Sequence, residues 1–465
     1  MAPPRTLEEA IERIAQLEEQ VRALLARLGR TSRNSDKPPS ADPPGVAQSP
    51  RPPTGRKRGG QPGHPRHDAA LLPPERVTAR RDVRPTSCWR CGRGLHGSDP
   101  HPVCHQVIDV PPVQATAEEW LIHSLVCDRC GARNRGDLPD GVPTLHYGPR
   151  LTALVAIFAG AYRLSARLIQ GLVGDLFDVH LSLGMIPKLQ DQASQAMAEP
   201  AAEAAEHVRA APRVFGDETS WTEDKKRAWL WVALTKTVAV FVIRCSRGAK
   251  VAKELLGAAF GGILHSDRWA GYDWVDVARR QVCWAHLVRQ FRGFVELGGP
   301  AAPIGRALGR ACRRMFKHWN QVRDGTLSRA GFALQMRAIE RRIVRLLRRG
   351  ATSGLRRVAG RCREILKLEG ALFTFVRRTD VEPTNNHAER ALRHAVIWRK
   401  ASFGTDSVRG SRFVERVLTA VTSLRLQGRN ALEWMTDTCH AMLMRQAAPS
   451  LLPQPREATG QAAAA

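Results

Sequence analysis

Long apolar runs and acidic residues are both scarce in this sequence. The best apolar run, LTALVAIFAGAY at 151–162, is shorter than the roughly 20 residues a membrane-spanning helix needs. Membrane insertion is therefore not expected. The opening MAPPRTLEEA is acidic and has no apolar core, so no secretory signal is expected there and a cytoplasmic setting is. In that reducing setting the ten cysteines read as metal ligands or buried thiols rather than disulfides. The shortage of acids is large: 44 Asp+Glu stand against 71 Lys+Arg, a formal charge of +27. Such an excess argues for a polyanionic partner, above all nucleic acid, because each phosphate neutralised releases counterions. A merely soluble basic protein, or one resting on acidic membrane, is the plainer alternative. What is present in quantity is core material. With 465 residues, 43% of them hydrophobic, the chain has room for two or three domains.

Residues 1–30 read as a coiled-coil helix, with Leu7, Ile11, Ile14, Val21, Leu25 and Leu28 on one seam and Glu18 interrupting it. That pattern fits self-association, or a helix docked on its own domain. Residues 31–75 form a proline- and glycine-rich basic linker. In it, Arg56, Lys57 and Arg58 precede a pair of glycines and could follow a DNA groove as a basic arm, or simply be solvated. Residues 76–148 hold CWRC and CDRC. Cys88, Cys91, Cys127 and Cys130 supply two pairs of thiolates, the set for a structural, closed zinc site. A strand pair is expected around VCHQVIDV and EEWLIHSLVC, and Cys104 and His105 are alternative ligands. Residues 149–211 are helical. A turn near 179–184 and a helix starting near Met185 suit a helix-turn-helix, or an ordinary helical hairpin.

From 212 to 299 the period changes. RVFGDE (213–218), AWLWVAL (228–234), VAVFVIR (238–244), GGILHSD (261–267) and RQVCWAH (280–286) read as strands, with a helix over 249–260. Three antiparallel strands followed by a crossover predict a mixed α/β sheet. Residues 300–380 are a helical insertion, with sixteen arginines between 306 and 363 that suit a phosphate-facing surface. Residues 381–446 supply final helices, and 447–465 a frayed tail.

Asp217 and Asp267 are expected at the ends of strands one and four. If those strands are parallel neighbours, two like charges meet at one sheet edge and need a cation between them. A third carboxylate from a helix would complete a site for Mg²⁺ or Mn²⁺, which hard oxygen ligands select. Glu389 is the candidate. Two plain readings compete: a capping box with Asn386, and an ion pair with Arg393 one turn on. The spacing alone leaves all three open.

The motifs NSDKPPS (34–40), GGQPGH (59–64), the paired cysteines, GDET (216–219), SDRWAGY (266–272), CWAHLVRQF (283–291) and TNNHAERALR (384–393) occur in this order. Together they resemble the insertion sequence 66 family of bacterial DDE transposases, from the N-terminal helix to about residue 440. The resemblance implies an RNase H-like core with an acidic triad at Asp217, Asp267 and Glu389. It implies metal-dependent DNA cleavage and strand transfer, on double-stranded element ends and target DNA. It also implies a homo-oligomer on DNA, with element-encoded accessory proteins and a nucleoid location as further expectations. Cys283 and His286 look like a CxxH string that supports such sites, although a buried Cys and a capping His are the plain readings. His387 departs from the commonest pattern, where small or apolar residues are frequent. Arg390, Arg393, Arg399 and Lys400 follow Glu389 and are expected to face phosphates. A zinc-containing DNA-binding regulator with an inactive core, and a nuclease without strand transfer, are the alternatives.

Overall fold

The structure is a computed structural model. It describes residues 71–454, together with 6–9, 11–14, 16–17, 21, 31 and 34. Most of the expected coiled coil and linker, including Arg56, Lys57 and Arg58, lies outside the described residues. So does the last part of the expected tail, 455–465. By its internal contacts the chain divides into a small unit, Gly45–Thr116, and a large one comprising the rest.

The small unit carries the first cysteine pair on a tight turn. Within the large unit, strands β1 (Ser124–Val126) and β2 (Arg133–Arg135) form an antiparallel hairpin around the second pair. The strand pair expected earlier, from VCHQVIDV to EEWLIHSLVC, does not form, and only Ser124–Val126 of it is extended in a ladder. The turn after Cys127 fixes the partner locally, and a nearby partner costs less loop entropy than a distant one.

Four helices follow: α1 (Pro149–Gly160), α2 (Ala166–Phe177), α3 (Met185–Ala196) and α4 (Ala198–Ala210). Ser165 caps α2 by accepting from the Leu168 N–H, and Asp178 ends it in the left-handed region at φ 51°. The loop and the start of α3 at Met185 fall where the sequence pattern put them.

The central sheet comprises β3 (Arg213–Glu223), β4 (Lys226–Leu234), β5 (Ala239–Arg244), β6 (Ile263–Ser266) and β7 (Arg280–Val282). Its order is β5-β4-β3-β6-β7. β3, β4 and β5 are antiparallel, while β3–β6 and β6–β7 are parallel. The β3–β4 turn uses Asp224 and Lys225, both at positive φ (50° and 58°), which matches the twist of a tight hairpin. Helix α5 (Ala249–Leu256) makes the crossover from β5 to β6. Strand β3 runs five residues further than the pattern suggested. Asp217 therefore lies within it and does not end it. Strand β7 is shorter than expected: it stops at Val282, and Cys283 caps helix α6 (Trp284–Glu296).

The free edge of β5 is covered from an unexpected source. Its N–H groups at Ala239, Phe241 and Ile243 donate to Ser423 Oγ (2.9 Å), Thr419 Oγ1 (3.0 Å) and Glu415 Oε1 (2.6 Å). These acceptors recur every four residues and so share one face of a helix, and they remove an edge that would otherwise invite pairing.

The insertion is built from α7 (Ala301–Arg323), α8 (Arg329–Ala351) and α9 (Arg356–Leu366). Phe332, Met336, Ile339, Ile343 and Leu347 face its own core, each worth about 1.5–3 kcal/mol on burial. Two short helical turns, Glu369–Leu372 and Thr374–Arg377, lead back to the sheet. Then come α10 (Asn386–Ser402), α11 (Val408–Gln427), which carries the acceptors that cover β5, and α12 (Ala431–Leu443). The first part of the expected tail is docked. Leu451 is fully buried, and the carbonyls of Pro449, Ser450 and Leu451 accept from Trp434, Arg429 and Gln427. One apolar anchor and three side-chain donors outweigh a proline- and alanine-rich composition.

Candidate active site

Parallel pairing of β3 with β6 starts at Arg213↔Ile263 and ends at Phe215↔His265. Two residues past that ladder, β3 carries Asp217 and the chain after β6 carries Asp267. The shared register thus brings the two aspartates to one sheet end. Helix α10 packs on β3, and Glu389 lies in its first turn. Burial pushes the Asp217 carboxyl well up, and the charges of Glu218, Asp267 and Glu389 push it further. The three acids thus share one electrostatic neighbourhood, with Glu218 as a fourth member.

Both plain readings of Glu389 fail. The cap residue of α10 is Asn385, not Asn386, and it makes no side-chain cap. The Glu389 carboxylate faces helix α6 instead of Arg393. It lies 3.4 Å from the Arg289 guanidinium and 3.6 Å from His286 Nδ1. His286 and Arg289 are three residues apart and so project from one face of α6.

Asn385 holds the site together. Its side-chain Nδ2 donates to the carbonyl of Gly216 at 2.8 Å, and its backbone N–H donates to Cys283 Sγ at 3.1 Å. Cys283 in turn donates its N–H to the carbonyl of Ser266 at 2.9 Å. Gly216 precedes Asp217, and Ser266 precedes Asp267. One chain of hydrogen bonds therefore connects all three acid-bearing elements. Asn385 is buried, and its Oδ1 has no partner, so an acceptor is left over beside the acids.

A second network lies under the aspartates. Glu218 points to the opposite face of β3 from Asp217, as strand alternation requires. Arg247 donates to its Oε1 at 2.7 and 2.9 Å, and the Tyr272 hydroxyl donates to its Oε2 at 2.8 Å. Burial, then the Asp267 charge, raises Glu218 to about 7 in spite of Arg247. The Arg247 guanidinium stacks over Trp269 at 3.8 Å from the ring centroid and over Trp229 at 4.7 Å. Trp269 donates its backbone N–H to Asp267 Oδ1 (2.8 Å) and its ring N–H to the Arg247 carbonyl (3.0 Å). The sequence pattern does not single out Arg289, Asn385, Glu218, Arg247 or Tyr272. The only signals available were the acid next to Asp217 and the doubled Asn385–Asn386.

Cys283 Sγ, a ring nitrogen of His286 and a Glu389 oxygen lie within 4.8 Å of one another. This is a set of donors that could hold a metal. Cys283 is poorly prepared for one: burial pushes its thiol up to about 11, and its sulfur already accepts from Asn385. Asp217, Asp267 and Glu389 offer the hard oxygens.

Among the expected phosphate-facing residues, Arg390, Arg393 and Lys400 are exposed. Arg399 is engaged. It donates to Thr219 Oγ1 (3.0 Å), to the Ser220 carbonyl (2.6 Å) and to Ser220 Oγ, and so ties β3 to α10 beyond Asp217.

The two cysteine pairs lie on turns of the same kind. Gly92 and Gly131 follow the second cysteine of each pair, both at φ 73°. Each donates its N–H back to the first cysteine's carbonyl, at 2.8 and 2.9 Å. The N–H groups of Cys91 and Arg90 hold the Cys88 thiol below its usual range, and those of Cys130 and Arg129 do the same for Cys127. Each turn therefore favours thiolate.

The family model for the IS66 family of transposases matches residues 145–412. The chain belongs to the IS66 transposase family. The match covers the sheet, the insertion, Asp217, Asp267 and Glu389. Residues 4–70 match a family of unknown function (DUF6444). Two uncharacterized proteins of Sinorhizobium fredii are similar. One, y4qI, is 28% identical over 50% of this chain and 48% of its own length. The other, y4hP, is 25% identical over 76% of this chain and 70% of its own. The chain thus spans about half the length of y4qI. No helix among the described residues of this IS66-family chain is long and apolar enough to cross a membrane.

Proposed function

We propose that this chain is a DDE transposase with an RNase H-like core that cleaves DNA at element ends and joins them to target DNA. The observation that carries this reading is the β3–β6 register that brings Asp217 and Asp267 to one sheet end, with Glu389 in the first turn of the helix packed on β3; burial, with the charges of Glu218, Asp267 and Glu389, opposes ionisation of Asp217. Three carboxylates in one electrostatic neighbourhood, with a buried acceptor on Asn385 unpartnered, suit divalent cations, which would draw the carboxylates in. Asp217, Asp267 and Glu389 would hold Mg²⁺ or Mn²⁺, which polarise phosphate oxygens and lower the pKa of water.

The chain's own residues supply positioning and charge. His286 and Arg289 hold the Glu389 carboxylate against helix α6. Asn385 and Cys283 fix the spacing of the three acid-bearing elements. Arg390, Arg393 and Lys400 meet the phosphates on either side of the reacting one, with no sequence preference of their own. In the first step water attacks phosphorus at the element end, and the bond to the 3′ oxygen breaks, leaving a 3′-OH and a 5′-phosphate. In the second step that 3′-OH attacks a target phosphate and displaces the target's own 3′ oxygen. Each step exchanges one phosphoester bond for another or for water, so no ATP is required.

Cys88, Cys91, Cys127 and Cys130 are assigned to structural Zn²⁺ on their pairing and on the thiolate-favouring turn at each pair. With the helical pair α2–α3 and the basic linker containing Arg56, Lys57 and Arg58, they would recognise element ends. Self-association through the N-terminal helix, element-encoded accessory proteins and a cytoplasmic, nucleoid-associated location complete the proposal.

The test is cleavage and strand transfer on element-end DNA with Mg²⁺, comparing the native chain with Glu389→Gln. Cleavage and joined product from the native chain, both lost in the variant, are expected. Native cleavage without joined product would favour a nuclease. DNA binding without cleavage would favour a regulator with an inactive core. Zinc content that is unchanged in Cys88→Ser would remove the four-cysteine assignment.

A further inference from the structure

The same strands that end at the aspartates begin at a cleft that this chemistry does not use. The cleft has a volume of about 760 Å³. Its walls come from the α4–β3 junction, from Gly261–Ile263 at the start of β6, from the residues before β7, and from the chain that returns from the insertion. Arg209, Arg213, Arg279 and Arg378 line it, with Asp380 as its one acid. Arg213 pairs with Asp380, and Arg209 is engaged with Glu206 and the Glu254 carbonyl. Arg279 and Arg378 are exposed, and among the described residues neither side chain has a hydrogen bond or ion pair. With Arg213 paired to Asp380 and Arg209 to Glu206, Arg279 and Arg378 leave an excess of two positive charges, and a concave wall concentrates that field. The floor is kept open by backbone: a side chain at Gly262 would lie 2.5 Å from the Ala211 carbonyl.

We infer that this cleft is a second phosphate-binding site, which takes the backbone of a polynucleotide away from the reacting phosphate. Guanidinium groups match phosphate oxygens in both shape and charge. The lining has no aromatic side chain on which a base could stack, so it suits a sugar-phosphate backbone better than a free nucleotide. Arg213 and Ile263 lie four residues before Asp217 and Asp267, which is about 13 Å along each strand. That is roughly four base steps of duplex rise, so one bound DNA can reach both places. The choice of polymer rests on the strand-transfer reading, while the anion site itself does not.

The experiment uses the full chain without divalent metal, so no step depends on cleavage. A random-sequence 30-base-pair duplex serves as the probe, and arginine accessibility to phenylglyoxal is read by mass spectrometry. Duplex is expected to protect Arg279 and Arg378, and tripolyphosphate at equal phosphate concentration is not. Protection by tripolyphosphate alone would overturn the polynucleotide assignment, and protection by neither would overturn the site. In parallel, the double variant Arg279→Gln/Arg378→Gln should bind the duplex about tenfold more weakly near 100 mM salt. Its salt slope should fall by about 2, close to 0.9 for each phosphate that is no longer neutralised. Lys225→Gln/Arg425→Gln removes equal charge from exposed positions on the β3–β4 turn and on α11, outside the cleft and every surface read as phosphate-facing. An equal loss in that control would show a general charge effect and defeat the proposal.

Discussion

Two helices in this chain begin with asparagine and glutamate three residues apart, at Asn386–Glu389 and Asn430–Glu433. Only the second begins with the cap that the spacing suggests. Asn430 Oδ1 accepts from the N–H groups of Leu432 (2.9 Å) and Glu433 (3.3 Å), and Glu433 is exposed. At the first helix the capping position falls to Asn385, whose side chain turns inward to Gly216. Glu389 faces Arg289 and His286 and adds its charge to that of Asp267 against Asp217. The local chemistry is the same in both places. What differs is the company supplied by distant elements: a sheet end and helix α6 at one start, mostly solvent at the other. A short motif fixes what a residue can do, and tertiary neighbours select which of those things it does.

The comparison is broken most severely by exchanging the carboxylates for amides. Glu389→Gln keeps volume and helix propensity but removes a charge from the acid cluster. Mg²⁺-dependent cleavage should fall by at least about 10²–10³-fold, the scale seen when one electrostatic stabiliser is removed from an active site. Glu433→Gln should leave the rate unchanged. Equal rates in the two variants would make Glu389 a second solvent-facing helix residue. Next in size is Asn385→Ala. It leaves the Gly216 carbonyl unsatisfied in a buried setting, at a cost of about 1–3 kcal/mol, and removes the tie between β3 and α10 nearest Asp217. Cleavage should drop about tenfold with metal affinity weakened, and a loss of stability alone would limit Asn385 to a packing role.

These contrasts also explain what the sequence made legible. Strand order was accessible because alternating apolar runs, a short turn at 235–238 and one crossover helix leave few topologies. The observed order β5-β4-β3-β6-β7 is among them. The aspartate pairing followed from that order. Hidden from the sequence were interactions whose partners are more than 90 residues apart: Arg289 to Glu389, Asn385 to Gly216, and the Glu415, Thr419 and Ser423 side chains on the edge of β5. In the sequence, Glu415, Thr419 and Ser423 are polar residues on a mostly apolar helix. Composition hides the docking of 447–454 because it reports average solvation, not the single anchor Leu451.

A third prediction concerns pH. Asp217 is raised well above the ordinary carboxylate range and Glu218 to about 7. The unfolded chain titrates such groups near 4. Between those limits the folded chain binds protons that the unfolded chain has released. The stability contribution is therefore fully present below about pH 4 and is lost as pH rises through the folded values. Without divalent cations, Tm should fall by several degrees between pH 5.5 and 8. Asp217→Asn should flatten the slope, and Mg²⁺ should offset it by compensating the carboxylates. A Tm that rises over the same window would contradict the crowding of acids.

The smallest effect belongs to the ordinary helix start. Asn430→Ala removes two accepted hydrogen bonds at the N-terminus of α12, a change that costs about 1 kcal/mol at caps of this kind. In a chain of this size that is about 2 °C in Tm or less. Cleavage should not change, because α12 reaches no acid of the cluster. The same substitution at Asn386 should cost less stability still, since Asn386 supplies no cap and is exposed. The order of the two alanine variants is thus the reverse of what identical spacing would suggest for two capping boxes. Equal destabilisation at both positions would mean that Asn386 caps in solution, and that Glu389 is held in part by its own helix rather than by α6 alone.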